Sequence, residues 1–336
     1  MSRSSAVPPP VTAVLDAGSA WLPTRLGAVE TMLRELAGGH GELLGEDVTA
    51  TLAAGGKRLR PLLVLLCAGP PGGDAAVRAG SAIELVHMAT LVHDDVLDDA
   101  PLRRGRPTVA ATSGRARATS AGDLLFSRAF ALLAGAGDRR AVELLSEASV
   151  SLALGELAQR RDAYDTAVPE ERYLERCRLK TARLFECACL MGLAARGRAG
   201  GESAQPAPGE AELRAFGGEI GLAFQLLDDV LDVTGPPERT GKARGTDLLD
   251  GTVTLPLILA IRDEPALAEA ELRGIDAAAA EALCDRIAAT GALEEVRSRA
   301  LAMVAEAKRR LGGPAFDREQ AELLGLVADG VVQRYS

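Results

Sequence analysis

Apolar residues recur along the chain at the spacing of amphipathic helices, and stretches rich in glycine and proline separate the helical segments. The apolar run at 62–68 follows GGKRLRP, in which Pro61 suits the first turn of a helix. The alternation of polar and β-branched residues that is typical of strands does not recur. Aromatic residues make up 3% of the chain, whereas alanine and leucine, both strong helix formers, dominate it. The pattern predicts an all-α protein.

The same periodicity predicts how the chain is organised. Residues 1–12 are rich in proline and serine and are expected to form a disordered tail. Loops are expected at 197–209 and 235–245. Helices are predicted at 26–36, at 48–54, from 77 into a group of aspartates, and at 123–134, 141–162, 170–192, 210–231 and 255–262. Residues 13–336 are therefore expected to form one large helical domain.

Composition and charge argue against several classes of protein. The formal net charge is −9 and no long basic run occurs, which argues against a nucleic-acid partner. The N-terminus lacks the apolar segment of a signal peptide, and no stretch approaches the roughly 18 apolar residues that span a bilayer. Five cysteines lie mostly on apolar helical patterns without zinc-ligand spacing, so reduced core thiols are expected. We expect a cytoplasmic protein with no stable membrane anchor.

The stretch LVHDDVLDDAPLRRGRPT at 91–108 concentrates aspartates at the end of an apolar segment. Residues four apart share a helix face, so Asp94 and Asp98 point the same way. Like charges at this spacing destabilise a bare helix, and a cation between them would remove the conflict. Oxygen ligands suit Mg²⁺, which takes one or two carboxylates together with substrate phosphates. Taken alone, the motif fits a solvated helix end equally well.

A second copy of the pentad DDVLD lies in GLAFQLLDDVLDVTG at 221–235. Asp228 and Asp232 again share a helix face at the end of an apolar run, with Asp229 beside them. Two such motifs, far apart in the chain, predict opposed walls of one acidic site. Carboxylates that face each other across a cavity repel, so the site requires bridging cations.

Basic residues accompany both motifs. The glycines of GGKRLRP allow the backbone to approach an anion closely. A polyanion held by Mg²⁺ together with several lysines and arginines would be a diphosphate. Any single basic residue is more often a plain surface charge, so the argument rests on the whole set: Lys57, Arg60, Arg103, Arg104, Lys180 and Lys242.

In their order along the chain, these motifs resemble those of the trans-isoprenyl diphosphate synthases, the polyprenyl synthetase family. The resemblance covers about residues 50–260 and rests on GGKRLRP, ELVHMATLVHDDVLDDAPLRRGRPT, GDLLFSRAF, GELAQ, KTARLF, FQLLDDVLD, GKARGTDLLDG and TLPLI. A class I terpene cyclase would replace the second aspartate motif with an Asn/Ser/Glu pattern. The family implies a single large helical bundle around a central tunnel, the isoprenoid synthase-like fold.

The resemblance implies a Mg²⁺-dependent prenyltransferase that joins isopentenyl diphosphate to an allylic diphosphate. Diphosphate leaves the allylic carbon, the double bond of isopentenyl diphosphate attacks the resulting cation, and a proton is lost. The implied metal ligands are Asp94, Asp95, Asp98, Asp228, Asp229 and Asp232. The implied contacts of the allylic diphosphate are Arg103, Lys180, Thr181, Gln225 and Lys242. The implied contacts of isopentenyl diphosphate are Lys57, Arg60, His87 and Arg104. The implied catalytic set is Asp94, Asp95, Asp98, Arg103, Lys180 and Lys242.

One position departs from the family pattern. Where many relatives carry a second lysine after the second aspartate motif, this chain has Thr252. Threonine cannot supply that positive charge, although Lys242 remains nearby in the sequence. The resemblance therefore leaves the affinity for diphosphate open at this point.

The helix before Asp94 is expected to line the tunnel and to set the length of the product. In the family, bulky aromatic residues four or five positions before the first aspartate close a short tunnel, whereas Ala89 and Thr90 are small. Val86 is expected to lie one turn deeper on the same wall. These residues predict a long product, in the hexaprenyl to nonaprenyl range. The alternative is geranylgeranyl or farnesyl diphosphate, with a large residue elsewhere closing the tunnel.

Further expectations concern the oligomeric state of the chain and two alternatives to the prenyltransferase function. The family implies a homodimer, with the apolar helix at 123–134 as the interface. A non-catalytic subunit of a two-component synthase is a second hypothesis, although such partners tend to lose their aspartates. A helical scaffold with acidic patches that bind cations incidentally is a third, although the matched basic residues argue against it. Activity of the purified chain alone would distinguish these hypotheses.

Overall fold

The computed structural model describes residues 9–18, 21–38, 47, 49, 51–52, 56, 58–103, 105–198, 207–235 and 244–333. Most of these residues are helical, so the all-α prediction is confirmed. The helices, in chain order, are α1 (Pro9–Ala17), α2 (Trp21–Gly38), α3 (Leu59–Ala68), α4 (Gly73–Leu97), α5 (Val109–Ser113), α6 (Arg115–Gly135), α7 (Arg139–Arg161), α8 (Glu170–Cys177), α9 (Arg183–Arg198), α10 (Glu210–Thr234), α11 (Thr246–Leu249), α12 (Leu255–Asp263), α13 (Ala277–Ala288), α14 (Ala292–Arg310) and α15 (Arg318–Gln333). A π-helical segment, Arg178–Ala182, joins α8 to α9, and one hairpin pairs β1 (Leu102–Arg103) with β2 (Arg106–Pro107).

Several predicted boundaries differ from the observed ones. α1 begins at Pro9, inside the segment expected to be a disordered tail, because proline suits the first turn of a helix. The helix predicted at 170–192 is interrupted by the π-helical segment and continues to Arg198. Residues 1–8, and the parts of the two expected loops at 199–206 and 236–243, lie outside the described residues.

The core is built around α4, α9 and α10. α9 packs against α3, α4, α7 and α10, and α4 packs along α6. α3 is buried from Pro61 to Ala68, as expected for a helix that is apolar on all sides. α14 packs on α10, and α15 packs on α1 and α3, so one contiguous apolar core runs from Val14 to Val331.

Glycines allow close approach where the π-helical segment meets its neighbours. A Cβ atom on Gly155 of α7 would lie 2.6 Å from the backbone nitrogen of Lys180. A Cβ atom on Gly221 of α10 would lie 2.8 Å from the Cα of Ala182. Any larger residue would push the helices apart, so both positions require glycine. The two glycines hold the π-helical segment between α7 and α10.

The segment Pro70–Leu97 is long and apolar enough to cross a membrane by length and composition alone, which differs from the expectation that no such stretch exists. Within the protein, 72% of its most apolar window is buried, as for a helix at the centre of a bundle.

The cysteines agree with the prediction of core thiols, because all five are buried and free of disulfides. Burial raises the pKa of Cys177 to about 12, which keeps this thiol protonated.

Candidate active site

The two DDVLD motifs lie at the C-terminal ends of α4 and α10 and meet at one cavity of about 490 Å³, called here the main cavity. Asp94 and Asp98 line the main cavity from α4, and Asp228 and Asp229 line it from α10. The apolar faces of both helices are buried in the core, which fixes where their last turns emerge. The structure therefore brings the two motifs together, as the sequence indicated.

Arginines hold the first motif. The Arg103 guanidinium donates to Asp95 Oδ1 at 2.6 Å, and the Arg160 guanidinium donates to Asp98 Oδ1 at 2.7 Å. Asp95 is 5% exposed, so its charge is taken out of water and requires such a partner. Two of the three aspartates in this motif are thus paired with cations of the chain itself.

The hairpin that follows α4 brings one of these arginines into place. Arg103 on β1 lies opposite Arg106 on β2, and Gly105 adopts a φ of +72° at the turn, a conformation that favours glycine. The sequence pattern did not predict this hairpin, because two-residue strands are too short to show an alternation. Arg104, at the turn, lies outside the described residues.

The π-helical segment supplies Lys180 and Thr181, and such segments are frequent at functional sites. Lys180 Nζ lies 2.6 Å from Glu156 Oε2. Burial lowers the pKa of Lys180, but the nearby carboxylates of Asp94 and Glu156 outweigh burial, so the net pKa is raised and Lys180 is a cation at neutral pH. Burial also raises the pKa of Asp94, Lys180 opposes that rise, and Glu156 adds to it.

Neutral donors hold the central aspartate of the second motif. The Tyr173 hydroxyl donates to Asp229 Oδ2, and the Gln225 amide donates to Asp229 Oδ1 at 2.9 Å. Thr181 Oγ1 donates to Gln225 Oε1 at 2.8 Å, which links the π-helical segment to the motif. Burial raises the pKa of Asp229 to about 8, Asp247 adds to the rise, and the two hydrogen bonds oppose it.

The chain after α10 brings two further carboxylates to the main cavity, those of Asp247 and Asp250. The backbone N–H of Asp247 donates to Asp232 Oδ2 at 3.2 Å. Gly251 has a φ of +72°, and a Cβ atom there would lie 2.2 Å from the Tyr164 ring, so this turn requires glycine. The turn fixes where the Asp247–Asp250 carboxylates stand relative to the second motif.

A second cavity of about 300 Å³ adjoins the main cavity. His87, Leu91 and Arg103 line both cavities, so these side chains form the boundary between them. Arg60 lines the main cavity, and its guanidinium lies 4.7 Å from the centre of the Phe185 ring, a cation–π arrangement. Of the described residues expected to bind isopentenyl diphosphate, His87 therefore lies at the boundary of the two cavities, and Arg60 lines the main cavity.

The residues expected to set product length are only partly at the cavity. Thr90 lines the main cavity, whereas Ala89 and Val86 do not. Ala89 and Val86 are fully buried in the core, outside the lining of the main cavity, and their role in product length stays a prediction. Val86 shares a helix face with Thr90 but lies one turn beyond the reach of the cavity. The apolar side chains that line the main cavity include Leu91, Phe126, Leu152, Ala153, Leu184 and Phe224.

Some predicted site residues lie outside the described part of the chain, namely Lys57, Arg104 and Lys242. The structure in turn adds site residues that the sequence analysis did not assign. Glu156 and Arg160 lie in and just after GELAQ, a motif noted without a role, and Asp247 and Asp250 lie in GTDLLDG. Tyr173 carried no signal, because a tyrosine before KTARLF is indistinguishable from a core residue until its partner is known.

The carboxylates fit a hard divalent cation that is shared with a ligand. Within the described ranges, no group of three or more His, Cys, Asp or Glu side chains could hold a metal ion by itself. Mg²⁺ needs no such cage, since it usually takes one or two carboxylates and completes its shell with water and phosphate oxygens. The raised pKa values of Asp94 and Asp229 indicate carboxylates whose charge a bound cation would stabilise.

Residues 42–287 match the sequence profile of the family described as polyprenyl synthetase. Among curated proteins, the chain is 41% identical over 284 residues to heptaprenyl diphosphate synthase component 2 of Geobacillus stearothermophilus, which covers 83% of this chain and 87% of that protein. It is 39% identical over 213 residues to octaprenyl diphosphate synthase of Escherichia coli, which covers 62% of this chain and 64% of that protein.

Solved structures show the same fold over nearly the whole chain. The polyprenyl synthase from Caulobacter crescentus, complexed with calcium and isoprenyl diphosphate, superposes with a TM-score of 0.86 at 33% identity and covers 97% of this chain and 98% of that one. A decaprenyl diphosphate synthase from Rhodobacter capsulatus superposes with a TM-score of 0.84 at 31% identity and covers 97% and 99%, respectively.

Proposed function

The chain belongs to the polyprenyl synthetase family and is a trans-prenyltransferase, and we propose that it condenses isopentenyl diphosphate with an allylic diphosphate, head to tail, to give a long all-trans polyprenyl diphosphate. The observation that carries the proposal is the meeting of two DDVLD motifs at one cavity beside a half-buried, protonated Lys180. Such a site attracts a diphosphate through its basic groups and divalent cations through its carboxylates.

The described side chains act by positioning and by stabilising charge. The C–O bond of the allylic diphosphate breaks, and diphosphate departs with the electron pair. Lys180 and Arg103 are placed to stabilise the charge on that leaving group, because both line the cavity as cations. The aspartates of the two motifs would hold Mg²⁺, which would supply Lewis-acid stabilisation of the same charge. The double bond of isopentenyl diphosphate then forms the new C–C bond, and the departing diphosphate is the proposed acceptor of the proton that is lost.

Two adjoining cavities suit two substrates. We assign the allylic diphosphate to the main cavity, which both aspartate motifs and Lys180 line. We assign isopentenyl diphosphate to the boundary with the second cavity, where His87 and Arg103 stand. This arrangement would place its double bond next to the allylic carbon, as a near-attack geometry requires.

The proposed product has the length of a hexaprenyl to nonaprenyl chain. Curated relatives named heptaprenyl, octaprenyl and nonaprenyl diphosphate synthase support a long product. The small side chain of Thr90 leaves space on the α4 wall. Geranylgeranyl diphosphate is the second candidate, and one observation favours it: the cavity does not extend down α4 to Ala89 and Val86.

A product assay tests the proposal. Purified protein is incubated with Mg²⁺, isopentenyl diphosphate and farnesyl or geranylgeranyl diphosphate, and chain lengths are resolved by chromatography. We expect a ladder of products that ends beyond geranylgeranyl diphosphate. A metal chelator should abolish turnover and added Mg²⁺ should restore it. A ladder that stops at geranylgeranyl diphosphate would reject the long product, and no product with any primer would reject the activity of the chain alone.

We propose that the chain forms a homodimer. We further propose that α7, and not the helix at 123–134, lies at the centre of the dimer interface. Val150, Leu154 and Leu157 recur on one face of α7 and are 58%, 52% and 66% exposed. The large exposed apolar side chains of the described residues include none on α6. A second copy would bury this stripe. Leu154→Glu should convert a dimer into a monomer in light scattering; an unchanged mass would rule out this interface.

A two-component enzyme is the alternative assembly. The relative from Geobacillus stearothermophilus is named component 2 of its synthase, and it covers most of this chain. Because this chain keeps both aspartate motifs, it would be the catalytic component. Turnover by the purified chain alone would favour the homodimer, whereas turnover that requires a further protein would favour the two-component enzyme.

The enzyme is proposed to be cytoplasmic, since its five free, buried thiols suit a reducing compartment.

A further inference from the structure

Arg176, on the last turn of α8, is a buried cation that pairs with no carboxylate of the described residues. It is 3% exposed, lines the main cavity and packs over the Tyr173 ring at 5.2 Å from the ring centre. Its Nη2 donates to the backbone carbonyl of Val253 at 2.6 Å. Its Nη1 is buried and has no hydrogen-bond acceptor within the described part of the chain.

This environment is unusual for a guanidinium. Arginine is always protonated in proteins, so Arg176 brings a full positive charge into the interior. Buried charges are normally paired, and a buried donor that lacks an acceptor destabilises the fold. Arg176 forms no ion pair with any described carboxylate, although seven acidic side chains line the same cavity. Both the charge and the donor are therefore available to a ligand that carries oxygen anions.

The hydrogen bond to Val253 places the Arg176 guanidinium next to the position at which this chain lacks a lysine that many relatives carry. Thr252 precedes Val253 in the chain and lines the main cavity. Thr252 occupies the position where many relatives carry a lysine. The Arg176 guanidinium therefore stands beside the point where the expected cation is missing, and it reaches that point from a different helix.

We propose that Arg176 binds the diphosphate leaving group of the allylic substrate and supplies the positive charge that Thr252 does not. This assignment rests on the proposed function, because it takes the diphosphate to be the ligand of the main cavity. Diphosphate oxygens would be the missing acceptors for Nη1, and the low exposure of Arg176 would strengthen the interaction. Arg176 would then act on the same group as Lys180, from the side of the second aspartate motif.

The test compares Arg176→Met with Arg178→Met, a matched control on the neighbouring exposed arginine, which pairs with Glu175. Binding of inorganic diphosphate with Mg²⁺ is measured by calorimetry, and KM for the allylic diphosphate and kcat by steady-state kinetics. Loss of one charge-assisted contact should weaken diphosphate binding in Arg176→Met by about tenfold to a hundredfold. The control should bind like the parent. Arg176→Gln, which keeps an amide donor without the charge, replaces Arg176→Met if the latter does not fold.

A rescue separates ligand binding from a structural role. Thr252→Lys added to the Arg176 variant should restore most of the lost diphosphate affinity, because it returns a cation to the same part of the cavity. Unchanged diphosphate binding in the Arg176 variant, or a loss that Thr252→Lys does not reduce, would overturn the proposal. If the parent protein makes no prenyl product, the proposed function fails, but the diphosphate binding of these variants still decides the role of Arg176.

Discussion

The second aspartate of each DDVLD motif occupies the same place in its pentad, yet the two carboxylates have different partners. Asp95, at the end of α4, accepts a hydrogen bond from the Arg103 guanidinium. Asp229, at the end of α10, accepts hydrogen bonds from the Tyr173 hydroxyl and the Gln225 amide. Both carboxylates are buried, at 5% and 2% exposure, so the difference lies in the chemistry of the partners and not in depth.

The last aspartates of the two pentads, Asp98 and Asp232, also have different partners. Asp98 pairs with the Arg160 guanidinium at 2.7 Å, whereas Asp232 accepts a backbone N–H from Asp247 at 3.2 Å. Asp247 also brings its own carboxylate towards the second motif and helps to raise the pKa of Asp229 to about 8. Arginines thus hold two carboxylates of the first motif, whereas neutral donors hold the central carboxyl of the second.

This difference indicates that the α4 motif and the α10 motif would contribute differently to binding a metal cation. Arg103 and Arg160 hold the first motif in position before any ligand arrives, although their charge also competes with an incoming metal. In the second motif, neutral donors orient Asp229, whose pKa is raised to about 8, and a bound cation would favour the charged form of this carboxyl. An identical pentad therefore does not imply an identical role. The environment of each copy, supplied by residues distant in sequence, decides it.

The largest expected effect is on turnover. Asp94→Ala and Asp228→Ala each remove a cavity-lining carboxylate, one from each wall, and kcat/KM should fall at least about a hundredfold in both. Product formation from isopentenyl diphosphate and a labelled allylic diphosphate measures the loss. Asp99→Ala is the matched control: Asp99 adjoins the first motif but is exposed, pairs with Arg115 and does not line the cavity. A similar loss in all three variants would break the link between cavity lining and catalysis.

Stability should distinguish the two central aspartates more directly. Asp95→Asn would leave the half-buried Arg103 without its carboxylate and should destabilise the metal-free protein by about 2 kcal/mol. Asp229→Asn replaces a carboxyl that neutral donors hold and whose pKa of about 8 keeps it mostly protonated at neutral pH, so it should cost less than Asp95→Asn. Urea unfolding midpoints of the two variants in the presence of a chelator measure the difference. Equal midpoints, or the reverse order, would contradict the contrast between the two motifs.

Much of the fold could be predicted from the sequence because helical periodicity is local. The apolar spacing that predicted helices at 123–134 and 255–262 depends on neighbours within one or two turns, and α6 and α12 contain those segments. The hairpin of Arg103 and Arg106 could not be predicted in this way, since it has only two residues per strand. The π-helical segment at Lys180 depends on Gly155 and Gly221, which come from other helices.

The same distinction applies to the candidate site: residues in local motifs could be predicted, whereas contacts between distant segments could not. The aspartates and Lys180 belong to motifs that repeat or cluster in the sequence, so they could be proposed before the structure was known. The Tyr173–Asp229 contact joins residues 56 positions apart, and nothing in either segment indicates the other. Ala89 was expected at the cavity by its offset from Asp94. It lies in the core instead, because only one face of α4 meets the cavity and its offset places it off that face.

The smallest effect concerns product length, and it extends the comparison to the residues that precede each motif. Thr90 lies four positions before Asp94 and Phe224 lies four positions before Asp228, and both line the main cavity. The small residue leaves space on the α4 wall, whereas Phe224 packs beside Phe185 with 5.8 Å between ring centres. The growing chain should therefore follow the α4 wall.

Thr90→Phe should shorten the longest product by one or more isoprene units, because the added ring would occupy the cavity on the side where the chain grows. Phe224→Leu, the matched change on the opposite wall, should leave the product length nearly unchanged. Ala89→Phe should instead destabilise the protein, since Ala89 is fully buried and a larger residue there would overpack the core. Chromatography of the products, with thermal unfolding of each variant, separates the cases. A longer product from Phe224→Leu, together with an unchanged product length in Thr90→Phe, would place the growing chain along α10 and reverse the roles assigned to the two walls.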